Sequence, residues 1–197
     1  MRRSVVGTIC LAVLGVWCEP ALAHGGFDDQ KLLKTGFLHV LYSPLSLAAL
    51  VGLVVSTSGI KDFWAIVLGV LAGAAAAVAT LLTGAMPYWL PHAVVVLLGL
   101  SAVSGVQLKL PLAVIYAVCG GFAAGISAEL ENVSIPVLTG AAITVGFATL
   151  ACITGLNDLL KVNRFKAVTL LARRVVGSWI ATIGLLMGAL AVRMHNG

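Results

Sequence analysis

From Phe63 to Leu108 the chain carries no Asp, Glu, Lys or Arg, and four shorter stretches share that property. They run from Thr35 to Ile60, Leu110 to Ala128, Asn132 to Asn157 and Val175 to Val192. An α-helix rises 1.5 Å per residue, so about 20 apolar residues cross the roughly 30 Å hydrocarbon core of a bilayer. The longest stretch is too long for one crossing. It contains Gly84-Ala85-Met86-Pro87, whose residue types favour a tight turn. Splitting it there predicts six spans, at about 36–57, 63–83, 88–107, 110–128, 134–156 and 173–192. The expected fold is an all-α membrane protein, a bundle of six transmembrane helices forming a single domain over residues 24–197. Pro44 lies inside the first span and is expected to kink it, whereas Pro111 and Pro136 fall near helix starts, where a missing N–H costs little.

Composition supports a lipid environment. Of the 197 residues, 60% are hydrophobic and 10% charged, against about 25% charged in soluble domains. Mean hydropathy is +1.10. The formal net charge of +5 does not gather into a stripe that could follow a phosphate backbone, so nucleic acid is not an expected partner. Lys and Arg sit instead at the ends of apolar runs, as topology signals do.

Residues 1–23 read as a signal peptide. Arg2 and Arg3 precede the apolar run from Ser4 to Cys18, and Ala21-Leu22-Ala23 offers small residues where a signal peptidase cleaves. Cleavage there makes His24 the first mature residue and leaves the mature N-terminus in the periplasm of a bacterial inner-membrane protein. Six crossings return the C-terminus to the same side. The loops then cytoplasmic hold Lys61, Lys109, and the group Lys161, Arg164 and Lys166, which Arg173 and Arg174 extend. The periplasmic loops hold no Lys or Arg, and one holds Glu129 and Glu131. Lys31, Lys34 and Arg193 in the periplasmic tails run against the trend, but loop charge and signal peptide otherwise agree.

Glycines recur at helical spacing as Gly69 with Gly73, Gly121 with Gly125, and Gly184 with Gly188. Each pair is a small-xxx-small seam, expected to pack helices inside the bundle. Cys119 and Cys152 fall inside spans, and no CxxC motif is present.

Ionisable residues within spans are candidates for function because burying them is costly. His39 lies near the start of the first span and His92 near the start of the third. Glu129 and Glu131 end the fourth, and Asp158 lies near the end of the fifth. On the topology above, His24, His39, His92 and Glu129 share the periplasmic end. Imidazole and carboxylate together suit nickel, copper, zinc or cobalt, and a terminal amine beside the His24 ring can chelate through both nitrogens. Met86 and Met187 are soft donors, of a type that more often packs than ligates. No HExxH, Ser/His/Asp grouping or phosphate loop is present, so an enzyme is not expected.

The pattern resembles the HupE/UreJ family, bacterial membrane proteins associated with hydrogenase and urease and regarded as nickel or cobalt permeases. The resemblance rests on the signal peptide ending in Ala23, the histidine that follows, the six Gly/Ala-rich spans and the stretch Gly36-Phe37-Leu38-His39. At that stretch the family carries His-Pro-x-x-Gly-x-Asp-His. Here only the first histidine is kept, and the aspartate and second-histidine positions are Leu45 and Ser46. The family's fourth-span stretch falls on Phe122 to Glu129, keeping both of those residues but neither of its histidines. The resemblance implies a permease whose substrate is a transition-metal ion, with His24, His39 and Glu129 as the remaining ligands and His92 as a further candidate. The missing ligands imply the alternative, a non-transporting membrane subunit or assembly factor held in a larger complex with other membrane proteins.

Overall fold

A computed structural model describes residues 29–83, 87–127, 135–161 and 166–196. These residues form seven helices: α1 (Asp29–Tyr42), α2 (Pro44–Thr57), α3 (Phe63–Thr83), α4 (Leu90–Ser104), α5 (Leu110–Ile126), α6 (Ile135–Lys161) and α7 (Lys166–Asn196). Among the described residues there is no strand. The signal-peptide region and the turn at 84–86 lie outside them.

The first expected span is two helices rather than one kinked helix. Proline has no N–H to offer the Val40 carbonyl, so the hydrogen-bond ladder cannot continue through residue 44. Ser43 turns out of the helix at φ −77° and ψ 112°, and its hydroxyl accepts a hydrogen bond from Ser46 N–H at 3.2 Å. That is an N-cap with proline in the first turn, so α1 stops and α2 starts within one residue. The fifth and sixth spans, by contrast, continue past their expected limits of about 156 and 173. The added residues, 157–161 and 166–172, are mostly Leu, Lys and Ala, good helix formers, and a charge that marks the edge of an apolar run does not end a helix.

Links between the other helices use local chemistry. After α2, Ser58 Oγ donates to the Val55 carbonyl at 2.8 Å and Gly59 takes φ 93°, a left-handed conformation that only glycine adopts without strain. Gly105, at φ 70°, ends α4 in the same way. Pro91 and Pro111 sit in the first turns of α4 and α5.

At the centre stands α2. Leu45, Ala48, Ala49, Leu50, Leu53 and Val54 are all buried against α4, α5, α6 and α7, and Val51 marks the one strip left exposed along the middle of the helix. Three close pairs surround it: α3 with α5, α4 with α7, and α1 with α6. Gly69 meets Val114 and Ala117, Gly73 meets Val118 and Phe122, and Gly125 meets Ala74 and Ala77, so α3 and α5 run parallel. A methyl group on Gly73 would strike the Val118 carbonyl, and one on Gly121 would strike the Val70 carbonyl. The seam is closed backbone to backbone. Gly188 meets His92, Gly184 meets Val96, and Gly177 meets Gly99 and Ala102, so α4 and α7 run antiparallel. Gly36 brings α1 against the backbone of α6 at Val137 and Ala141. The glycine seams read from the sequence are therefore contacts within one chain.

Two helices are long and apolar enough to cross a membrane, Phe63–Leu81 with mean hydropathy 2.2 and Ala167–Met194 with 2.0. Four further helical stretches are apolar but shorter: Pro44–Thr57, Leu90–Ser104, Leu110–Ile126 and Gly140–Leu156. The outer surface is apolar. Leu68, Leu97, Ile115, Leu185 and Leu186 are exposed, and Trp179 is 71% exposed. Large apolar side chains exposed in this number fit a lipid environment better than water.

Candidate functional site

The break between α1 and α2 is where polar groups converge inside the bundle. Ser43 Oγ donates to the Ser127 carbonyl at 2.6 Å, tying the break to the end of α5. One turn on, Ser46 Oγ donates to the Ala124 carbonyl at 2.8 Å. Ser46 is fully buried, and Ser127 is 9% exposed with its hydroxyl oxygen buried and without a hydrogen-bond partner. A buried hydroxyl left unsatisfied is costly, and such groups call for an explanation such as an ion or a water.

Local sequence explains the arrangement. The C-terminal end of α1 and the N-terminal end of α2 face each other across one residue, so their carbonyl and N–H dipoles meet at Ser43. His39 occupies the last turn of α1, half-buried, and its carbonyl accepts from Ser43 N–H at 3.1 Å. Ser127 directly follows the last residue of α5, so the Ser43 to Ser127 bond joins the end of α1 to the end of α5. Glu129, Glu131, His24 and Met86 themselves lie outside the described residues. Hydroxyls and helix-end carbonyls are groups able to replace part of an ion's hydration shell.

His92 belongs elsewhere. Its Nδ1 lies 3.0 Å from the Tyr88 carbonyl, and its Cβ packs on Gly188 of α7. With Nδ1 donating there, the ring is tied to the turn that precedes α4. Met187 packs against the apolar core, which matches the packing role expected for it. Cys119 is half-buried on α5 and Cys152 exposed on α6. Among the described residues no group of three His, Cys, Asp or Glu side chains comes together.

Two further polar features were not read as sites from the sequence. In the last turn of α2, Ser56 donates to the Leu98 carbonyl at 3.0 Å and accepts from Ser101 at 2.7 Å, linking α2 to α4. At the far end of α2 from the break, a cavity of about 360 Å³ is lined by Val55, Ser58, Gln107, Leu156, Arg173 and Val176. Arg173 is 8% exposed; its Nη2 donates to the Val106 carbonyl at 3.1 Å, and its Nε has no partner. The dipeptide Ser43-Pro44 inside an apolar run was the available signal for the break, since a serine before proline is a ready-made helix cap. Nothing local marked Arg173 as different from Arg174.

The chain matches no family model, no curated protein and no solved structure.

Proposed function

We propose that the chain is a multi-pass inner-membrane protein that carries a transition-metal ion, nickel, cobalt or copper, along a path that passes the broken first span. The observation that carries this reading is the α1/α2 break itself, closed onto α5 by Ser43 and lined by the buried, unpartnered hydroxyl of Ser127. Discontinuous helices with freed backbone groups are how many transporters hold ions within a bilayer. His39, His24 and Glu129 are the proposed ligands, with the α1 carbonyl end and the serine hydroxyls completing the shell.

Six membrane crossings are supported by the helix directions. Treating α1 and α2 as one crossing, α3 and α5 are the second and fourth and run parallel, while α4 and α7 are the third and sixth and run antiparallel. Within the bundle α2 is antiparallel to α5, through Ser43 with Ser127 and Ser46 with Ala124, and parallel to α4, through Gly52 with Leu98 and Ser56 with Ser101. Each relation is the one that alternating crossings require. Trp64 at the start of α3, and Tyr88 and Trp89 before α4, are exposed at opposite ends of the bundle, as interfacial aromatics are.

The second reading, a non-transporting subunit of a larger membrane complex, is favoured by a different observation. The described interior is closely packed with Ala, Gly and Val, and no three-residue ligand group occurs among the described residues. Uptake by purified protein separates the two. Liposomes containing the protein and an internal metal indicator are expected to take up at least one of the three metals saturably. His39→Ala should slow that uptake about tenfold, the scale on which loss of a group supporting a metal site is felt. Uptake no faster than in protein-free liposomes for all three metals would remove the permease reading, and a stoichiometric partner from native membranes would then support the second.

A further inference from the structure

We propose that the cavity closed by Arg173, at the opposite end of α2 from the break, binds a phosphate-type oxyanion. The site is independent of the metal reading and shares none of its residues.

Arg173 is more than nine-tenths buried, yet among the described residues its guanidinium makes one hydrogen bond, Nη2 donating to the Val106 carbonyl at 3.1 Å. The Nε is buried with no acceptor, and among the described residues no carboxylate pairs with the guanidinium. A buried cation without a counter-charge is among the costliest arrangements a fold can hold. It borders a cavity of about 360 Å³, large enough for a phosphate group with part of what it is attached to. The guanidinium presents N–H groups in a planar fork that fits two oxygens of a phosphate at once, which a lysine in the same place could not do.

The rest of the wall narrows the ligand. Ser58 Oγ already donates to the Val55 carbonyl, and Gln107, Thr169 and Arg173 are the other polar side chains in the wall. Val55, Leu156, Leu170 and Val176 make the remaining surface apolar. A ligand with an anionic oxygen group and an apolar remainder satisfies both parts, as a phospholipid does. A free phosphate ester shares the anionic chemistry and lacks the apolar part. Arg174, the neighbouring cation, is exposed, with its guanidinium near Gly105, and does not line the cavity.

The test uses the full chain purified in a neutral detergent. Native mass spectrometry after titration with phosphatidylglycerol, and separately with phosphatidylcholine, reads lipid retention; thermal unfolding with and without inorganic phosphate reads the free anion. Retention of phosphatidylglycerol over phosphatidylcholine, or a rise in melting temperature with phosphate, is expected in the wild type, and the arm that responds identifies the source. Arg173→Gln should weaken that response about tenfold or more, as loss of charged hydrogen bonds does, whereas Arg174→Gln should leave it intact. Should Arg173→Gln not fold, Leu156→Trp, which fills the cavity with the arginine in place, is expected to give the same loss. No response in either arm, or equal losses from Arg173→Gln and Arg174→Gln, would overturn the proposal.

Discussion

Replacing Gly121 with valine is expected to separate α3 from α5 and lower the melting temperature markedly. A Cβ at position 121 would land on the carbonyl group of Val70, with the Val70 Cα also within 2.8 Å. The obstacle is backbone in a continuous helix, so no rotamer change can relieve it. The reverse contact, Gly73 on the Val118 carbonyl, pins the same two helices one turn away. To admit the side chain the helices must move apart, and the fully buried Val70, Ala117 and Ala124 then lose their partners. Overpacking in a core costs about 1–3 kcal/mol, and a collision with rigid backbone belongs at the top of that range. Native domains hold only about 5–15 kcal/mol. Thermal unfolding in detergent checks the expectation. Gly155→Ala is the control: a methyl there meets nothing within 4 Å, and alanine is the better helix former by about 0.5–1 kcal/mol. Its melting temperature should equal or exceed that of the wild type. Equal melting temperatures for Gly121→Val and the wild type would mean that the seam is not closed as described.

Pro44→Ala is expected to do the opposite, sparing the fold and slowing the proposed metal uptake. Alanine restores an N–H at the position where the Val40 carbonyl lacks one, so α1 and α2 can join into a single helix. The helix gains a hydrogen bond, and stability should hold or rise. What is lost is the turn at Ser43 that lets its hydroxyl reach the Ser127 carbonyl, together with the facing helix ends. If ions pass at this break, metal uptake in liposomes should fall about tenfold while the melting temperature does not. A variant that is as stable as the wild type and transports as fast would show that the break serves only to bend the chain.

The difference between those two variants reflects what could be read in advance. Charge-free runs located α3 at its observed limits, Phe63–Thr83, and the start of α5 at Leu110, because an apolar run and a helix coincide where both ends are marked by turn residues. They misplaced the ends of α6 and α7, since lysine and arginine close an apolar run without closing a helix. Gly73 and Gly121 were legible as packing residues, but their pairing across α3 and α5 was not, since spacing names a seam without naming its partner. The polar site was harder still. Serines are common and cheap in any helix, and nothing in the spacing of Ser43, Ser46 and Ser127 announces hydrogen bonds across the bundle. Histidine and glutamate stood out by their rarity and became the candidate ligands. Arg173 was taken for one more flanking charge, and only its burial beside a cavity separates it from Arg174.

The proposed metal path stands or falls on whether the protein binds the ion at the break between α1 and α2. Metal analysis of purified protein, after incubation with nickel, cobalt or copper and removal of excess, tests this most directly. It should be run beside His39→Ala and a variant with one residue added before His24. Retention of one of these metals by the wild type, with less in His39→Ala and in the extended variant, is the expected result. If all three proteins retain none, there is no metal site at the break.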